Sequence, residues 1–152
     1  MPDTVLTPDQ AQTAVDVVLR QGYRIVTEVA VHGLPRRAIT IVLVNALGHG
    51  GRHGHGIWFA ECLYNLGQDL HSDDWRPAPQ VPLGMTFPPS QLDEWLRLDG
   101  TGVAVEYRGG RYTVTLLMDG HCPFYNRSWW QNSFTAETLD AAITAVTLPN
   151  AS

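Results

Sequence analysis

The sequence predicts an α+β domain: an antiparallel sheet of about five strands with helices packed mainly on one face, in the order α-β-β-β-α-β-β-α. Three observations carry this. Thr7-Pro8-Asp9-Gln10, Ser90 and Thr135 each offer a helix cap ahead of apolar residues at helical spacing. Arg108-Gly109-Gly110-Arg111 separates two strand-like runs with the chemistry of a two-residue hairpin. Several strand-like runs also follow one another directly, which implies hairpins rather than helical crossovers.

The elements follow in chain order. Thr7 caps a first helix, Pro8 suits its first turn, and Gln10 completes a capping box. Ala11, Ala14, Val15 and Val18 recur at helical spacing, and Gly22 stops the helix. From Tyr23 to Val31 the period becomes two, with Tyr23, Ile25, Thr27, Val29 and Val31 on one side. The run Ala38 to Leu47 is apolar on both faces, as an interior strand would be. A loop, Gly48 to Gly56, then leads to Ile57-Trp58-Phe59-Ala60-Glu61-Cys62-Leu63-Tyr64, read as the partner strand of a long-looped hairpin near the sheet centre. Leu66 to Pro89 is the least regular stretch. Ser90 caps a short helix bearing Leu92, Trp95 and Leu96. Val103–Tyr107 and Tyr112–Met118 form the glycine hairpin, and an aromatic segment follows. Thr135 caps a last helix with Leu139, Ala142, Ile143 and Val146 inward.

Composition bounds the function. The 152 residues fit one domain (1–152) able to bury a core. Charged residues make up 16 %, below the ~25 % of an average domain, and the net charge is −5. The ten Lys and Arg form no basic run, so no nucleic-acid partner is expected. No apolar run is long enough for a membrane helix, and Met1-Pro2-Asp3-Thr4 lacks a secretory start, so a cytoplasmic protein with free Cys62 and Cys122 thiols is expected.

Three of the six histidines and five of the fourteen glycines fall between Gly48 and Gly56. His53 and His55 alternate as on a strand, putting both imidazoles on one side, and His49 could add a third ligand. His121, Cys122 or His71 are candidates for a fourth, and three nitrogens with one open position is the pattern of catalytic zinc. A glycine-rich exposed loop explains the same residues without metal. His53-Gly54-His55 with Glu61 beyond it is similar to the first metal motif of the cupin family. The glutamate lies too far along, however, Phe87 stands where the second motif needs histidine after Pro82-Leu83-Gly84, and three capped helices do not suit a jelly roll.

The aromatic segment supplies a different candidate. Phe124, Tyr125, Arg127 and Trp129 are residue types enriched at interface hot spots, though an edge strand under the last helix would also contain such residues. The order of elements resembles that of type III secretion effector chaperones, and the resemblance implies a protein partner and allows a homodimer. The function read from the sequence is binding of another protein, in an inhibitor, immunity-type or chaperone-like role, with no cofactor. The alternative is a zinc-dependent hydrolase built on His49, His53 and His55. A third reading is a small-ligand domain with an aromatic pocket.

Overall fold

A computed structural model describes residues 6–30, 38–45, 50–71, 86–87, 89–97, 101–118 and 130–147. Along them run α1 (Pro8–Arg20), β1 (Arg24–Ala30), β2 (Ala38–Val44), β3 (Gly50–Gly56), α2 (Phe59–His71), α3 (Gln91–Leu96), β4 (Thr101–Arg108), β5 (Arg111–Met118), β6 (Trp130–Ala136) and α4 (Leu139–Thr144). The fold is α+β, with the six strands in one sheet of order β3-β2-β1-β4-β5-β6. Every pairing in it is antiparallel.

Local chemistry explains most of the boundaries. Thr7 and Gln10 close a reciprocal capping box at the start of α1, and Ala11, Val15 and Leu19 give it a buried stripe. Gly22 follows with φ 101°, a value that glycine adopts without strain. Gly109 and Gly110 take φ 61° and 82° at the tip of the β4–β5 hairpin, as a primed turn requires. Between β1 and β4 the ladder covers only Ile25↔Val105 and Val26↔Ala104. Just beyond it the Thr27 hydroxyl takes the place of the backbone ladder, accepting from Val103 N–H at 2.7 Å and donating to Val103 O at 3.3 Å.

The helices share one face of the sheet, where the main core joins Val15 and Leu19 of α1, Phe59, Cys62 and Leu66 of α2, Trp95 of α3 and Leu139 of α4 to Ile25, Ile41, Val105 and Val114 of the strands. Full burial of each such side chain contributes about 1.5–3 kcal/mol. The opposite face carries smaller, partly exposed groups: Thr40, Val42 and Val44 alternate with buried Ile39, Ile41 and Leu43 along β2.

The sequence reading fails at the third strand. Ile57 to Tyr64 is not a strand: the run enters α2, and the partner of β2 is the glycine–histidine stretch itself. Phe59, Cys62 and Leu66 form the buried stripe of a helix, a spacing hidden when Ile57–Tyr64 is taken as one continuous apolar run. The strand chosen instead has poor strand propensity but suitable shape. A Cβ on Gly54 would meet Cys62 O and lie 2.7 Å from Leu66 N, so α2 packs directly on the β3 backbone. Gly67 lets α1 approach α2 in the same way, since a Cβ there would meet the Ala11 backbone. Both runs were expected near the centre. In fact β3 is an edge strand and β2 its neighbour, while β1 and β4 are central. The sheet has six strands rather than five because residues 130–136 pair with β5. The last helix is capped by Thr138, whose hydroxyl accepts from Ala141 N–H at 3.1 Å, and Thr135 belongs to β6.

Candidate functional site

Two places on the described surface bring chemistry-bearing groups together, one on each side of the sheet. The first is the outward row of β3. Its inward positions face α2: Gly54 is buried there, and Arg52 donates from Nη1 to Asp69 O at 3.2 Å with the Asp69 carboxylate 3.6 Å away. Its outward positions are Gly51, His53 and His55, all exposed. The edge strand is held to α2 beyond the ladder as well. Asn65 Nδ2 donates to His55 O at 2.7 Å, and Ile57 N–H donates to the Glu61 carboxylate at 2.6 Å. Glu61, which the sequence places inside a strand, instead lies in the first turn of α2 and accepts from Ile57 N–H.

The two imidazole rings stand edge to face with centroids 4.7 Å apart. His55 Nδ1 lies 2.9 Å from the Thr40 hydroxyl of the adjoining strand, and His53 Nδ1 lies 3.5 Å from Gly51 O. Partial burial, with His53 nearby, holds His55 below the usual histidine pKa and so favours its neutral form. Neither Nε2 has a hydrogen bond among the described residues. His49 lies outside the described residues, as do His121 and Cys122. His71 ends α2. Among the described residues no three His, Cys, Asp or Glu side chains form a metal-holding group, so His53 and His55 stand as a pair.

The second place is a groove of about 710 Å³ in the helical layer, bounded by α1, α2, residues 86–87 and 89–90, α3 and α4. Its floor is Val15, Phe59 and Leu139, each at most 1 % exposed, and its walls are Leu63, Phe87 and Ile143. Hydrogen bonds fix one end. Tyr64 OH donates to Leu6 O at 2.8 Å and accepts from Gln68 Nε2 at 2.9 Å, while the Tyr64 and Phe87 rings lie 5.5 Å apart. Asp93 fixes the junction of α2 and α3. Its Oδ1 accepts from Phe59 N–H at 2.7 Å, and its Oδ2 accepts from Ser90 N–H at 2.7 Å and Ser90 Oγ at 3.1 Å. One 3 %-exposed carboxylate thereby caps two helices. Glu94 and Asp140 are the charged side chains in the lining, both exposed.

The groove escaped the sequence reading because four separated segments build it and none has a motif of its own. The aromatic candidates Phe124, Tyr125, Arg127 and Trp129 lie outside the described residues. Cys62 is a buried free thiol, donating to Ile39 O at 3.4 Å, and burial pushes its pKa far up, away from any nucleophilic role. No helix among the described residues is long and apolar enough to cross a membrane. No protein family, curated protein or solved structure matches the chain.

Proposed function

We propose that the protein acts by binding another protein, holding an apolar, basic segment of that partner in the groove between α1, α2 and α4. The observation that carries this is the pairing of an apolar floor and walls with a rim whose charged groups are both carboxylates, on a chain of net charge −5. An amphipathic helix laid in such a groove buries its apolar stripe and sets Lys or Arg against Asp140 and against Glu94, whose Oε1 also lies 3.2 Å from Arg97 Nη1. Inhibitor, immunity-type and chaperone-like roles all use this kind of contact.

The test uses two labelled helical peptides with the same leucine stripe, one carrying lysines and the other glutamates on its polar face. Fluorescence anisotropy is expected to show saturable binding of the lysine peptide and much weaker binding of the glutamate peptide. Leu63→Glu or Ile143→Glu should weaken the first at least tenfold, with thermal unfolding confirming that each variant is folded. Equal binding of both peptides, or of neither, would remove the support. Displacement of the lysine peptide by an uncharged aromatic small molecule would favour a small-ligand site instead.

A further inference from the structure

We propose that His53 and His55 form a two-imidazole site for a divalent transition-metal ion of the copper, nickel and zinc group, on the face of the sheet opposite the groove. Residues two apart on a strand project to the same side with Cα atoms roughly 6.6 Å apart. That separation suits two imidazoles sharing one ion, and here the ring centroids are 4.7 Å apart. With metal–nitrogen distances of about 2.0–2.1 Å, the two Nε2 atoms need to approach to about 3 Å, a closure that requires rotation of the side chains. Gly51, the preceding outward residue, has no side chain to obstruct that rotation, and a Cβ there would meet nothing within 4 Å.

The other ring nitrogens are already occupied in the way a ligand histidine requires. A carbonyl only accepts, so Gly51 O places the proton on His53 Nδ1 and the lone pair on Nε2. The Thr40 hydroxyl can accept from His55 Nδ1 and so set the same tautomer. Both unengaged Nε2 atoms then offer lone pairs from the exposed face of β3. A free glycine–histidine loop would have to be ordered by the ion, at a cost in conformational entropy for every residue fixed. Here β2 and α2 hold the strand, so folding already provides that order. Imidazole donors favour copper, nickel and zinc over magnesium or calcium, and water or an incoming donor fills the remaining positions.

The probe is Cu²⁺ alone, titrated into untagged protein and followed by calorimetry and electron paramagnetic resonance. The expected result is one site whose spectrum shows coupling to two imidazole nitrogens. His53→Gln and His55→Gln should each weaken it at least tenfold and remove one nitrogen from the spectrum. Thr40→Val should weaken it about tenfold with both nitrogens retained. Circular dichroism should show every variant folded, since the histidines are exposed. No binding at micromolar Cu²⁺ would overturn the proposal. So would binding that survives either histidine substitution unchanged, or a spectrum with a single imidazole nitrogen.

Discussion

Replacing Gly54 by alanine should destabilise the protein, whereas the same change at Gly51 should not. Both glycines lie in β3, but on opposite faces. A methyl group on Gly54 would collide with Cys62 O and stand 2.7 Å from Leu66 N and 3.1 Å from Leu66 Cβ. Two of those atoms are backbone, so relief requires moving α2 away from the sheet. Overpacking of this kind costs about 1–3 kcal/mol. Alanine is otherwise favoured over glycine within a strand by about 0.5–1 kcal/mol, a gain common to both variants. The difference between them therefore isolates the packing cost. At about 2–4 °C per kcal/mol for a chain of this size, it should appear as a gap of about 2–12 °C in Tm. Thermal unfolding by circular dichroism measures it directly. Equal melting temperatures would refute the packing of α2 on the β3 backbone, and with it the assignment of this stretch to a strand.

Other outcomes follow from the same contacts. Asp93→Ala strips the acceptor from Phe59 N–H and Ser90 N–H, one buried and one part-buried helix-start donor, and should cost about 2–4 kcal/mol in urea unfolding, with Asp93→Asn intermediate. Burial raises the Asp16 pKa above its ordinary value, against the opposing pull of the nearby Arg20 charge and Tyr112 hydroxyl. A raised acid contributes stability below its unfolded pKa and loses it as pH rises through the folded value. Asp16→Asn should therefore gain stability relative to the wild type between acid and neutral pH, and a gap that narrows instead would contradict this. In a Cys122→Ser background, Cys62 should react with a disulfide reagent only as fast as the protein opens. Urea should accelerate the reaction in step with unfolding, and rapid labelling of the native state would contradict the burial.

What was legible in the sequence was what short stretches encode by themselves. Thr7 with Gln10 specifies a cap, Gly109-Gly110 specifies a primed turn, and the alternation around Ile25 specifies a strand. The exchange of roles between residues 50–56 and 57–64 was not legible, because the glycines there acquire their meaning from a helix packed against them. Gly54 is indistinguishable from a loop glycine until Leu66 is placed above it. The outward projection of His53 and His55 on one side was readable from their spacing alone. Thr40, which engages His55, lies on another strand and could be placed only by the register. The groove depends on Val15, Leu63, Phe87 and Ile143 meeting from four segments, a coincidence that no local pattern announces.

The most direct measurement is a map of backbone amide shifts in ¹⁵N-labelled protein saturated with the leucine–lysine peptide. The largest changes should cluster at Leu63, Phe87, Glu94, Asp140 and Ile143, leaving Val26, Val42 and Ala104 on the opposite face of the sheet undisturbed. Changes centred on Val26, Val42 and Ala104, or spread evenly over the surface, would contradict a binding groove in the helical layer.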